Sequence, residues 1–84
     1  MNTKHFVYIV RCSDTTLYTG YTNNLNKRIE THNRGNGAKY TKIRLPVKLV
    51  YFEEFSDKSE AMKREYKIKQ LTRKQKIKLY AIKN

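Results

Sequence analysis

Eighty-four residues carry 19 Lys and Arg against seven Asp and Glu, a formal net charge of +12. A chain this short has room for one modest core, so a single domain over residues 1–84 is expected, and its cationic field favours a polyanion, with nucleic acid the leading partner. No stretch approaches the roughly 20 apolar residues of a span and no apolar block opens the chain, which argues against a membrane partner and for a cytoplasmic protein.

The one cysteine, Cys12, has no second thiol to pair with, and two histidines are too few for a Cys/His zinc cluster. Cys12 reads as a half-buried strand residue. No small-molecule cofactor is expected, and nothing in the sequence assigns an oligomeric state.

In chain order, the β-branched and aromatic run Phe6 to Cys12 predicts a strand, Ser13-Asp14-Thr15-Thr16 a turn, and Leu17 to Tyr21 a second strand, together a β-hairpin. Asn23 or Asn24 then caps a helix whose inner face repeats as Leu25, Arg28, Ile29 and His32, and Gly35-Asn36-Gly37 ends it by allowing positive φ. The basic stretch Lys39 to Arg44 reads as a loop or a single turn. Pro46 punctuates the chain before a third strand, 47–52, whose alternation is imperfect.

Asp57 with Glu60 predicts a capping box for a second helix, with Ala61, Met62, Tyr66, Ile68 and Leu71 on its apolar side. Thr72 with Gln75 predicts a further one, its apolar residues being Ile77, Tyr80 and Ala81. The order β-β-α-β-α-α therefore predicts an α/β protein of the α+β type, a small three-stranded, mainly antiparallel sheet flanked by helices.

Several residues carry possible chemistry. Glu65 shares a helix face with Ala61 and Ile68, so its carboxylate is aimed at the sheet and needs a cation beside it. Two readings fit: a ligand for Mg²⁺ or Mn²⁺, or a structural ion pair with Arg28. Arg28 and His32, four apart, also face the sheet; His32 alone reads as a hydrogen-bonded boundary residue.

Tyr8 and Tyr18 are, by composition, cross-strand aromatics in a chain of seven tyrosines, and they share a face of the hairpin only if the pairing register sums to an even number. Gly20 leaves space for an incoming backbone or phosphate, or simply ends the strand. Lys39, Tyr40, Lys42 and Arg44 form a cationic, aromatic stretch suited to substrate contacts and base stacking. Residues 58–84 hold ten basic side chains against Glu60 and Glu65, many of them explained by a solvated helix face. Adjacent Glu53 and Glu54 face opposite ways and stay outside the site.

Two triplets, Phe6-Val7-Tyr8 and Tyr18-Thr19-Gly20, followed by Arg28, His32 and Glu65, resemble the GIY-YIG nuclease family from Phe6 to about Leu71, and most closely its short stand-alone bacterial members. The resemblance implies a metal-dependent endonuclease acting on nucleic acid, DNA ahead of RNA. It assigns Tyr8, Tyr18 and Arg28 to catalysis and Glu65 to one Mg²⁺ or Mn²⁺ ion; His32 joins the catalytic set as a second-rank residue, and Gly20, Lys39, Tyr40 and Lys42, read from the residues themselves, are the substrate-contact candidates. The chain departs from the family pattern at Phe6, where the first glycine falls, at Thr19, where an isoleucine falls, and after Glu65, where the family's asparagine is missing. Those departures keep open an alternative: a catalytically silent DNA- or RNA-binding module on the same scaffold.

Overall fold

Val7 and Ile9 alternate with Tyr8 and Val10, so a strand carrying them presents an apolar or aromatic side chain to each face in turn. The computed structural model, which describes residues 3–81, places that strand, β1 (His5–Arg11), at the centre of the sheet with all four side chains fully buried. β2 (Leu17–Thr22) and β3 (Lys48–Phe55) flank it in the order β2-β1-β3, and both pair with it antiparallel.

The hairpin turn is closed locally. Thr16 donates to the Asp14 carboxylate from its backbone N (3.1 Å) and its hydroxyl (2.6 Å), and Thr15 adopts a φ of 70°. Tyr8 stands opposite Gly20 and Val10 opposite Tyr18, so the register sums to an even number. Tyr8 and Tyr18 accordingly share one face.

Asn24, not Asn23, caps α1 (Leu25–Asn33) by accepting from Lys27 N (3.1 Å), and Gly35 ends it at φ 84°. The basic stretch forms a single turn, α2 (Lys39–Lys42). β3 runs three residues beyond its expected end, and its register shifts between the partners of Ile9 and Val10. That bulge lets the adjacent Val50 and Tyr51 pack on one side, while Leu49 packs on the other, which explains the imperfect alternation.

α3 (Lys58–Lys69) is capped by Asp57, which accepts from Ser59 N (3.3 Å), one residue short of the Glu60 N–H that a capping box uses. The full box forms at α4 (Arg73–Tyr80), between Thr72 and Gln75.

Leu25 and Ile29 of α1 pack with Tyr8, Val10, Cys12 and Val47 on one face of the sheet. Ala61 and Ile68 of α3, with Leu71 and Leu79, pack with Val7 and Ile9 on the other. Three expectations change here. Met62 and Tyr66 lie on the outer side of α3, 40% and 68% exposed, because Ala61, Glu65 and Ile68 define its inner stripe. Leu79, not named in advance, packs α4 against the core beside half-buried Ile77 and Tyr80 while Ala81 is exposed, and Cys12 is buried, not half-buried. The basic stretch expected to 84 continues through Lys83, outside the described residues. Among the described residues no helix is long and apolar enough to cross a membrane.

Candidate active site

The site begins with a phenol held over a glycine. Gly20 faces Tyr8 across the hairpin, and a Cβ at Gly20 would come within 2.4 Å of Tyr8 Oη. The room that Gly20 leaves is therefore filled by the Tyr8 ring, not held open for an incoming phosphate. Any other residue there would displace the phenol.

α1 brings two partners to that phenol, one helical turn apart. Arg28 Nε donates to Tyr8 Oη (3.3 Å), and His32 Nε2 lies 2.8 Å from the same oxygen. The other ring nitrogen, His32 Nδ1, lies 2.8 Å from Thr41 Oγ1, whose hydroxyl donates to the Ala38 carbonyl (3.1 Å). Tyr8, His32 and Thr41 are all fully buried.

A guanidinium has no acceptor, so among the described residues the Tyr8 hydrogen has one acceptor, His32 Nε2. Nδ1 then carries the imidazole proton and donates to Thr41. Read in this sense, every donor of the chain is satisfied: Arg28 to Tyr8, Tyr8 to His32, His32 to Thr41, Thr41 to Ala38.

The electrostatics agree with a neutral imidazole. Burial, with the Arg28 charge beside it, holds His32 below the usual imidazole pKa. Burial raises the Tyr8 phenol; Arg28 pulls it down through its hydrogen bond and charge, while Tyr18 and Glu65 add upward pushes. The phenol stays protonated in the resting protein, and its proton points at a base that is free to receive it.

Gly37 makes room for that base. A Cβ there would fall 2.2 Å from His32 Nδ1, so the glycine expected to end a helix instead lies against the imidazole. Sequence reasoning missed Gly37 and Thr41 as parts of the site. The available signal was slight: Thr41 is the one aliphatic hydroxyl in the Lys39 to Arg44 run.

Tyr18 sits edge-on to His32, with ring centroids 5.6 Å apart, and stacks on Tyr40 at 6.0 Å. Arg44 lies over the Tyr40 ring at 4.0 Å and pairs with Asp14 at 3.1 Å. This column ties α2 to the hairpin turn. It also means that a face of Tyr40 is already covered, so a base stacks there only by displacing Arg44 or using the remaining exposed surface. Lys39 and Lys42 are exposed on α2.

Glu65 approaches from the other side of the sheet. Its side chain is only 13% exposed, and it pairs with the half-exposed Lys69 at 3.3 Å. The ion pair with Arg28 weighed from the sequence is absent among the described residues; the two Nη groups of Arg28 have no protein partner there. A shielded carboxylate balanced by one half-exposed lysine suits a hard divalent ion that keeps most of its waters. No group of three His, Cys, Asp or Glu side chains converges among the described residues, so such an ion would lean on substrate oxygens for the rest of its coordination. Glu53 is committed elsewhere, bonded by Tyr51 and held by two Arg64 bonds of 2.9 Å.

A three-stranded antiparallel sheet between helices, with both triplet tyrosines on one face and the arginine and histidine of α1 against them, defines a class. A family model described as the GIY-YIG catalytic domain matches residues 4–78, and the chain belongs to that nuclease family. Its relatives narrow the placement to the UPF0213 proteins, a small stand-alone GIY-YIG family. A UPF0213 protein of Staphylococcus haemolyticus is 66% identical over 76 residues, covering 90% of this chain and 93% of the relative. One of Staphylococcus aureus is 64% identical over 75 residues, covering 89% and 92%. The solution NMR structure of a UPF0213 protein from Bacillus halodurans matches with a TM-score of 0.61 at 46% identity, covering 95% of this chain and 85% of that one. An NMR structure of an E. faecalis protein matches at 0.62 and 38% identity, covering 100% and 95%.

Proposed function

We propose that this protein is a metal-dependent endonuclease that hydrolyses phosphodiester bonds in nucleic acid, DNA ahead of RNA. The observation that carries the reading is the chain from half-buried Arg28 to the buried Tyr8 and His32, satisfied in one direction only and ending on a neutral imidazole.

In this reading a water attacks phosphorus as Tyr8 Oη accepts the water's proton and passes its own to His32 Nε2. The phenol thereby acts as a base without becoming a free phenolate, which its raised pKa disfavours. The bond from phosphorus to the leaving oxygen breaks, and that oxygen takes a proton from solvent. Arg28 turns its free Nη groups to two phosphate oxygens, drawing its guanidinium away from the Tyr8 oxygen and opening the approach for water. Tyr18 holds the imidazole edge in place. Glu65 would hold Mg²⁺ or Mn²⁺, which when bound would supply positive charge against the charge that builds on phosphate. Lys39, Lys42 and the basic face of α3 and α4 meet the backbone, so binding weakens steeply with salt.

The test is cleavage of labelled single-stranded, duplex and branched DNA and RNA with Mg²⁺ or Mn²⁺, with Glu65→Gln protein purified identically. Metal-dependent cutting that the substitution abolishes, with binding retained, is the expected result; equal cutting by both proteins overturns the assignment of Glu65. One observation favours a second reading, a module that binds nucleic acid without cutting: Tyr8 is fully buried, so no water reaches it unless Arg28 moves. Binding across the whole panel with no cutting selects that reading.

A further inference from the structure

We propose that Thr41 is a positioning residue that sets the tautomer of His32 and so decides which way the Tyr8 proton can travel; the catalytic consequence rests on the nuclease reading above. Thr41 belongs to a single helical turn whose neighbours Lys39, Tyr40 and Lys42 are exposed, yet its own side chain is fully buried. Its hydroxyl makes two bonds in that enclosed space, to the Ala38 carbonyl at 3.1 Å and with His32 Nδ1 at 2.8 Å.

A hydroxyl has a single hydrogen. Spent on Ala38, it leaves Thr41 Oγ1 as an acceptor, which requires a proton on Nδ1 and leaves Nε2 bare for the Tyr8 hydrogen. Turned instead towards Nδ1, it forces the proton onto Nε2, which would then donate to a phenol oxygen already accepting from Arg28. The Tyr8 hydrogen would then have no acceptor among the described residues, inside a fully enclosed site.

Everything around Thr41 holds the first arrangement. Ser13 N donates to the Arg44 carbonyl (2.9 Å) and Arg44 pairs with Asp14, so the end of the α2 turn is fastened to the β1–β2 hairpin. Gly37 brings the backbone against the imidazole and closes the space into which the ring would swing. The basic stretch thus does more than face a substrate: its one buried side chain orients the base.

The same principle operates where a hydrogen-bonded orienting group fixes the tautomer of a catalytic histidine. The imidazole can accept a proton at Nε2 only while Nδ1 is held as the donor. Replacing the hydroxyl by a methyl of similar shape orphans Nδ1–H in the fully enclosed part of the site while keeping the volume filled; the proton is then expected to move to Nε2 and donate to Tyr8 Oη, with the Tyr8 hydrogen turning to the half-buried Arg28 side, where solvent accepts it once Arg28 swings away. Transfer from Tyr8 to His32 is then blocked without any change in the fold.

The experiment is ¹⁵N-imidazole NMR on the full chain, on Thr41→Val and on Thr41→Ser, with thermal melting of each and cleavage measured on whichever substrate the parent cuts. The parent and Thr41→Ser are expected to show the Nδ1–H tautomer at His32, and Thr41→Val the Nε2–H tautomer. Cleavage should fall about tenfold or more in Thr41→Val, a part of the roughly 10²–10⁴-fold that acid–base catalysis contributes, and recover in Thr41→Ser.

An Nε2–H tautomer in the parent overturns the proposal even if Thr41→Val fails to fold, as does an unchanged tautomer in a folded Thr41→Val. Because the tautomer is read without substrate, its assignment stands or falls separately from the nuclease reading. A parent that cuts nothing but shows the expected tautomer shift refutes the nuclease and supports the positioning. A parent whose Glu65-dependent cutting survives Thr41→Val unchanged does the reverse.

Discussion

On the sheet face shared by Tyr8 and Val10, burial encloses polar groups. Tyr8, His32 and Thr41 are fully covered, and each donor among them has a partner at 2.8–3.1 Å. On the opposite face the enclosed side chains are Val7, Ile9, Ala61 and Ile68, and the one buried hydroxyl, Thr19 Oγ1, has no partner among the described residues. The first face depends on directed bonds and on two glycines that make room for two rings; the second depends on filled volume. The two faces should therefore fail in different ways: damage to the first costs chemistry, and damage to the second, Glu65 apart, costs stability.

Tyr8→Phe is the sharpest way to test that division. It keeps the ring over Gly20 and removes the oxygen that joins Arg28 to His32. Cleavage should fall by roughly 10²–10⁴-fold, the usual range for a lost acid–base group, while stability falls by about 1–3 kcal/mol from the unpartnered His32 Nε2. Single-turnover rates and urea midpoints on one preparation separate the two effects. Cutting at the parent rate would remove Tyr8 from the reaction.

Ile68→Ala is the matching change on the other face. It truncates a fully buried residue of the α3 seam, and a loss of about 2–5 kcal/mol in unfolding free energy is expected from removed contacts and the remaining cavity. The protein that stays folded should cut normally per molecule. A folded but slow Ile68→Ala would mean that the position of α3, and with it Glu65, depends on this packing.

Much of this division could be read in advance, though not all of it. The alternation of β1 follows from local chemistry, because a two-residue period sets it within a few positions, whereas the parity of the hairpin is only a condition until the Tyr8–Gly20 register answers it. The inner stripe of α3 was harder to isolate: Met62 and Tyr66 lie four apart beside Ala61 and Glu65, and both sets look helical by spacing. Only packing against β1 and β2 chooses between them. Arg28 and His32 were placed correctly on the inner face of α1, whereas the destination of the His32 Nδ1 bond was invisible, since it depends on how a four-residue turn docks nine positions later. Gly37 illustrates the same limit: a glycine after a helix reads as a terminator whether or not a ring presses on it.

Acidification offers a gentler probe of the polar face. His32 is held below its ordinary value near 6.5 by burial and by Arg28, so between that value and its folded one the unfolded chain binds more protons than the native protein. Stability should therefore be fully present above about pH 6.5 and decline as pH falls towards the folded pKa. The lowered carboxylates Asp14 and Glu53 enter in a lower window, below about 4.5, which keeps the two effects apart. Urea midpoints from pH 7 to 5, with an NMR titration of His32, measure this directly. An imidazole titrating at or above 6.5 would contradict the buried, neutral base.

Thr19→Val tests the one place where the apolar face departs from its own rule. Thr19 lies on β2 opposite Ile9, on the side covered by α3, and its hydroxyl is enclosed with no partner among the described residues, while the neighbouring α3 carries the shielded Glu65. An unsatisfied buried hydroxyl is destabilising, so an isosteric methyl should raise the unfolding free energy by about 1 kcal/mol and leave cutting intact. A gain of that size would show that this face is governed by volume alone and that the threonine is a tolerated misfit. A loss of stability, or cleavage that weakens without one, would show instead that the hydroxyl is engaged in the working protein. Thr19 would then belong with Glu65 to the part of the site that lies on the α3 side of the sheet.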